Sequence, residues 1–408
     1  MPRGFKRLES IPAFRTCLHE TTLWSHYAPE RQSSMQIETV RFSHILEENR
    51  LRDITYFLSH TAFVVSHKTE STETLLKVLW YLPIESSIIV VTNCPEQDQE
   101  EIEISIREHL TCHRNIYVIH QKDARVAQFF QAHGVEHILG NDGKVLNGKG
   151  EGMYIGALCS ILLRYPRWIV FYDADNLVPC ALLEYTLAMG RLFLSAHGPY
   201  ISHESDASAP LHNIRICWSS KPSMKNGVLE NNLLGRCTRV ISPIFGDLLE
   251  EWFGLLNYRI VSSNAGEQAM TTKTARALRF SSGFSVETFQ LLDLLYKATE
   301  WRGHQNDVLL QQYQSQSPHF HTKKEDEHIR QMIAVSLGSF LVFQGYLPPH
   351  IESHVLRICD ELSLDVATPL VYPSLQSLDL EGDEAFVRQY RLFEDTERRE
   401  TLLEITTI

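Results

Sequence analysis

The sequence predicts an α/β protein whose centre is an open, doubly wound, mostly parallel sheet flanked by helices. Two observations carry this. Short β-rich apolar runs alternate with helical stretches over residues 62–172, and the last of those runs leads straight into two aspartates separated by one residue. Parallel strands covered on both faces read as continuous apolar runs, and sheets of this kind bind ligands beyond the carboxyl ends of their strands.

Taken in order, residues 1–58 show no clear period and are expected to form an extension packed on the catalytic body. Strands are expected at 62–66, 87–92, 115–120 and 167–172. Helices are expected near 71–80, 97–110 and 123–133, and from the Gly-rich 140–152 loop to about 164. Beyond residue 200 the character changes: 214–218 reads as a strand, 244–256 as a helix, 262–285 as a region marked by Gly, Asn and Ser, and 325–347 as an amphipathic helix. From Ser377 onward Asp, Glu and Arg dominate, the pattern of a solvated helix or arm.

The chain has 408 residues with 38 Lys+Arg against 50 Asp+Glu, a net charge of −12, which argues against a general nucleic-acid-binding surface. Apolar runs such as 88–91 and 168–172 fall far short of the ~20 residues that span a bilayer. The basic N-terminus has no apolar segment behind it, so neither a membrane anchor nor a secretory signal is expected. Eight cysteines are scattered without a Cys-x-x-Cys pair and no Asn-x-Ser/Thr sequon occurs, as expected for reduced thiols in a cytoplasmic protein.

The sharpest chemical signal is the run 168–172 entering Asp173-Ala-Asp175-Asn176. Two carboxylates at a strand's carboxyl edge are hard oxygen ligands for Mg²⁺ or Mn²⁺. A divalent ion gripping a diphosphate there would stabilise the charge on a departing nucleoside diphosphate, as in nucleotide-sugar transferases. The bland alternative is a loop that ends a strand and caps the helix near Pro179. A second signal runs from Asn147 to Met153, Asn-Gly-Lys-Gly-Glu-Gly-Met, before a helix. Its glycines let backbone approach a phosphate, the helix start offers unpaired N–H groups, and Lys149 adds positive charge. Read from Gly143, the same stretch approximates Gly-x4-Gly-Lys, with Gly150 where Ser or Thr would serve magnesium, so a P-loop NTPase is the rival enzyme. Third, Pro318-His319-Phe320-His321 follows a β-like run; in an extended segment both imidazoles share a face, and one can complete a metal shell begun by Asp175. Weaker singly are Asn264-Ala-Gly266-Glu267, Ser281-Ser-Gly283 with Val286-Glu287, Arg215 and Lys221 around Trp218, and Gly235-Arg236.

As an ordered set, these motifs resemble mannosyl-3-phosphoglycerate synthase over about residues 60–345. The resemblance implies a retaining glycosyltransferase of the GT-A fold that moves mannose from GDP-mannose to the 2-hydroxyl of 3-phosphoglycerate, in mannosylglycerate biosynthesis, with Mg²⁺ or Mn²⁺ as cofactor. It implies a nucleotide-sugar-binding half at 59–200, an acceptor-binding half at 201–350, and a helical, acidic tail at 351–408. Asp173 and Asp175 would then bind metal and nucleotide sugar, joined at the metal by His319 or His321. Lys149, Gly150, Glu151, Lys68 and Glu70 would surround the nucleotide sugar. Glu267 and Glu287 are the carboxylates to check as nucleophile, and Arg215, Lys221, Arg236, Asn264 and Thr271 are candidates for the acceptor's phosphate and carboxylate. The implied partners are GDP-mannose and 3-phosphoglycerate or a similar small anion, with no nucleic acid and no membrane, in a cytoplasmic enzyme compatible with a homodimer.

The chain departs from the family pattern at Leu146, where Arg is usual, at Gln268 in place of His, at Ser263 in place of Gly, and at His67-Lys68-Thr69-Glu70 in place of Lys-Asn-Glu. These departures touch the expected acceptor side more than the donor side. They leave another small phosphorylated or carboxylated hydroxy acid as an alternative acceptor, and an inactive nucleotide-sugar-binding protein as an alternative function.

Overall fold

A computed structural model describes residues 35–41, 51–113, 115–197, 209–218, 220–225, 228–232, 234–256, 258–300, 308–320 and 326–393. His321 and most of the expected N-terminal extension lie outside the described residues. In chain order the elements are β1 (Met35–Arg41), α1 (Leu51–Ser59), β2 (Thr61–His67), α2 (Thr72–Trp80), β3 (Ser87–Thr92), α3 (Gln99–His109), β4 (Ile116–His120), α4 (Ala124–Ala132), α5 (Lys149–Leu162), β5 (Trp168–Asp173) and α6 (Ala181–His197). They continue with β6 (Leu211–Cys217), β7 (Lys221–Lys225), β8 (Val228–Asn232), α7 (Arg236–Phe253), β9 (Gln268–Thr271), α8 (Thr272–Ala277), β10 (Phe280–Ser281), α9 (Val286–Glu300), β11 (Val308–Gln314), α10 (Asp326–Leu341), α11 (Pro349–Glu361), β12 (Val371–Tyr372) and α12 (Glu384–Arg388).

Eight strands form one sheet in the order β1-β11-β6-β9-β5-β2-β3-β4. Neighbours run parallel except β9, which is antiparallel to both β5 and β6. This is the Rossmann-like α/β layout that the resemblance implies. All six residues of β3 are buried, which is why its apolar run lacks the alternation of a half-solvated strand. One apolar cluster joins α5, α7, α9 and α10 on one face of the sheet, and a second joins α1, α2, α3 and α6 on the other. Side-chain caps start the small helices: Ser71 accepts from the Thr74 amide before α2, and Asp123 from the Arg125 amide before α4.

Two elements depart from expectation. Helix α7 begins at Arg236 and runs through Pro243, eight residues before the expected start near 244. Proline costs one helical hydrogen bond, but the buried stripe Ile241, Ile244, Phe245 and Leu248 outweighs it. The described part of the segment expected as a solvated arm, up to residue 393, instead packs on the body. Val387 is fully buried and Leu380 and Leu392 nearly so, and the Val118 amide donates to Tyr390 O while the Leu392 amide donates to Ile116 O, extending the sheet edge at β4. The seven described cysteines are free thiols, and among the described residues no helix is long and apolar enough to cross a membrane.

Helix α5 is central: every residue after Lys149 is buried. A Cβ on Gly156 would stand 2.2 Å from Val64 Cγ1 in β2, so glycine sets the helix-to-sheet spacing. Gly156→Val is expected to lower the unfolding free energy by about 1–3 kcal/mol through overpacking, read from urea denaturation.

Candidate active site

The carboxyl ends of β2, β3 and β5 meet the start of α5 around a cleft of about 650 Å³. Lys68 and Glu70 line it from the loop after β2, Asn147 and Lys149 from the start of α5, Asp173 and Asp175 from the end of β5, and His328 from α10. This is the position the strand-end rule assigns to a ligand in an open α/β sheet. The 67–70 turn is fixed by His67, whose buried ring bonds Thr92 Oγ1 at 2.9 Å and Glu70 O at 2.9 Å, and by Glu70 Oε2, which accepts from the Lys68 amide at 2.8 Å.

At the floor of the cleft one cation joins three elements. The Lys149 ammonium lies 2.6 and 2.7 Å from the two Asp173 oxygens and 2.6 Å from Glu287 Oε1 in α9. Burial works against its charged form, but the two carboxylates outweigh it and hold the ammonium protonated well above the usual lysine range. Gly266 backs this pair so closely that a Cβ there would fall 2.3 Å from Asp173 Oδ2 and 2.6 Å from Lys149 Nζ. The next residue, Glu267, is buried, and neither of its carboxylate oxygens accepts a hydrogen bond from a described residue. Burial first, and then the charge of Asp173, pushes its carboxyl up to about 8.

His319 approaches from the other side, with Nδ1 3.5 Å from Glu267 Oε1. Its ring stacks on Trp218 at 4.3 Å and 20°, and the Lys221 ammonium sits 4.3 Å from the Trp218 ring centre. Its backbone is pinned, because the His319 amide donates to Ser220 O and Phe320 O accepts from the Leu177 amide in the loop that follows Asp175. Glu184, in the first turn of α6, accepts from Tyr313 Oη at 2.7 Å and from the Gln316 and Ser317 amides at 2.6 and 2.8 Å, which fixes the turn leading to His319.

The profile of the mannosyl-3-phosphoglycerate synthase family matches residues 22–386. The chain belongs to the mannosyl-3-phosphoglycerate synthase family. It is 30% identical over 293 residues to mannosyl-3-phosphoglycerate synthase of Pyrococcus furiosus, covering 69% of this chain and 71% of that one. It is 28% identical over 340 residues to that of Aeropyrum pernix, covering 81% and 83%. A crystal structure of glucosyl-3-phosphoglycerate synthase from Mycobacterium tuberculosis with Mn²⁺ and UDP-glucose is 16% identical, covers 77% of this chain and 88% of that chain, and gives a TM-score of 0.45.

Within this family member the structure brings Lys68, Glu70, Lys149, Asp173 and Asp175 to one cleft, with Glu267, Glu287 and His319 against the same carboxylates. Other expected site residues are placed elsewhere. Arg215 is fully buried: its guanidinium donates to the carbonyls of Ser262, Ser263 and Glu287 and to Gln268 Oε1, so it holds the 262–265 loop rather than an acceptor. Asn264 is consumed by Thr288 and Ser336. Thr271 caps α8 and pairs with Trp168, at the opposite end of β5 from Asp173. Gly150 and Glu151 do not line the cleft. A Cβ on Gly150 would lie 1.8 Å from Ser281 O, and Glu151 accepts from Tyr372 Oη and the Gly283 amide, so these two residues lock the 281–283 loop onto α5. Lys149 is no spare charge for a phosphate, since two carboxylates already neutralise it. Arg236 pairs with Asp326, and Lys221 reaches Gly235 just before the start of α7, both outside the cleft lining.

The P-loop reading fails on topology. Gly143 occupies a left-handed turn closed by the Gly140 amide on Lys144 O, and the stretch follows α4 and a short 3-10 turn rather than a strand. Sequence reasoning missed Asn93 and Gln121, which line the cleft just beyond the ends of β3 and β4; the strand-end rule applied to every strand would have found both.

Arg215→Met leaves several buried carbonyls without a donor. It is expected to lower the unfolding free energy by about 3 kcal/mol or more, read from chemical denaturation, whereas an acceptor-binding arginine would change the KM for acceptor at unchanged stability.

Proposed function

We propose that this chain transfers mannose from GDP-mannose to the 2-hydroxyl of 3-phosphoglycerate, with retention at the anomeric carbon. The observation that carries the reading is the convergence of Asp173, Asp175, Glu267 and His319 at the rim of β5, beside a cleft lined by the 66–70 turn and the start of α5. The donor set suits a divalent ion, Mg²⁺ or Mn²⁺: oxygen ligands with one imidazole, next to a buried carboxylate that lacks a hydrogen-bond donor. Among the described residues no three such side chains are already drawn into a cage, and Asp173 is turned onto Lys149. Asp175 and His319 are the proposed ligands, and Asp173 supports the ion or the ribose. Bound there, the ion would supply Lewis-acid stabilisation of the departing diphosphate.

The chain's own residues do the rest. The 67–70 turn and Asn147 hold the nucleotide end of the donor, and the Lys149 bridge fixes the Asp173 carboxylate in place. Lys221 and Arg236, at the uncapped start of α7, are suited to an anionic acceptor, because a helix N-terminus adds N–H groups to their charge. Both carboxylates considered as nucleophiles are buried, and Glu287 is held by Lys149. That supports a same-face displacement over a covalent glycosyl-enzyme. In it the acceptor oxygen attacks on the face the diphosphate leaves, and its proton passes to the departing phosphate oxygen. Free thiols support a cytoplasmic setting.

Asp175→Ala is expected to lower metal-dependent transfer roughly 100-fold or more while the circular dichroism spectrum stays unchanged. Mass spectrometry of products from GDP-mannose or GDP-glucose with a panel of acceptors reads it, and near-normal transfer by the variant would exclude the assignment. Lys221→Ala is expected to raise the KM for acceptor by about 10-fold or more with donor KM unchanged, as befits loss of one charge-assisted hydrogen bond.

A further inference from the structure

A second, smaller cavity of about 150 Å³ lies at the far edge of the sheet, between α3, β4 and the segment that follows α12. It is lined by Glu103 and Arg107 of α3, Arg125 at the start of α4, and Gln389, Tyr390 and Arg391. Three guanidinium groups around so small a space are unusual on a chain of net charge −12. Among the described residues the opposing charges are fewer. Glu103 lines the cavity and accepts from Gln99, and Asp123 holds Arg125 in a forked ion pair. Arg391 donates to Asn115 Oδ1 at 2.9 Å, and the Arg125 guanidinium lies 4.5 Å from the centre of the Tyr390 ring. Tyr390 is 6% exposed, and its hydroxyl has no hydrogen-bond partner among the described residues. The backbone here is fixed too, since the strand-like pairing of 390–392 with β4 holds Tyr390 and Arg391 in place.

We infer that this cavity is a binding site for a small oxyanion, a phosphate or a phosphate-bearing group, held by Arg107 and Arg391 with Arg125 beside them. The chemistry is directional: each guanidinium fork matches two oxygens of a phosphate. Arg107 is exposed at the last turn of α3, so it can be changed without disturbing the core. The site stands apart from the cleft, and the inference does not depend on the proposed reaction.

The test is calorimetric titration of inorganic phosphate into the full chain, made in the Asp175→Ala background with saturating GDP so that the cleft does not report. Saturable binding is expected that weakens about tenfold or more in Arg107→Gln, the loss of one charge-assisted hydrogen bond, and that weakens as salt is raised. Absence of saturable binding at millimolar phosphate would overturn the inference. So would binding that Arg107→Gln leaves unchanged.

Discussion

The site depends on one buried ion pair network: the Lys149 ammonium held between Asp173 and Glu287. It joins the first residue of α5, the last residue of β5 and, more than a hundred residues on, the first turn of α9. Removing Lys149 would leave two buried carboxylates without their counter-charge, which costs far more than the pairs contribute. The network also gives the two nearby glycine motifs one explanation. Gly266 leaves room for the Asp173–Lys149 contact, while Gly148 and Gly150 let the 281–283 loop lie against the start of α5, closing the floor of the cleft from behind.

The α/β class and most of the strands were legible in the sequence because buried parallel strands leave uninterrupted apolar runs; β3 matches its expected span residue for residue. The Asp-Ala-Asp rim was legible for the same reason, since a strand end is a fixed place in such a fold. Long-range pairing was not legible. Arg215 looks from sequence like an anion binder, and only the return of the 262–268 segment beside β6 shows that backbone carbonyls consume its donors. Thr271 lies four residues from Glu267, yet at the other end of the sheet, because the strand between them spans it. Pro243 hid the first half of α7, since local propensity says stop where the buried stripe says continue.

The departures from the family pattern change meaning once they are placed. Gln268 receives Arg215 Nη1 at 3.0 Å and donates to Gln290 at 2.8 Å, and Ser263 bonds Ser242 and Asn264. Both lie in the buried net around Arg215 rather than in the cleft lining. His67, the third departure, is a brace for the 67–70 turn. The weight these substitutions place against an active transferase is therefore small. Leu146 remains next to the cleft, where its carbonyl accepts from Gln121.

The reversed direction of β9 governs how the molecule can be made. Because this short strand sits in mid-sheet between β5 and β6, neither of its neighbours gains its full set of backbone partners until residues 268–271 have been synthesised and threaded between them. A nascent chain that has emerged only as far as β6 carries two open strand edges in the middle of its future core, the kind of edge that invites pairing with a second molecule. Translation therefore outruns consolidation, and the N-terminal half waits, exposed to aggregation, for a four-residue keystone encoded some hundred positions downstream of β5.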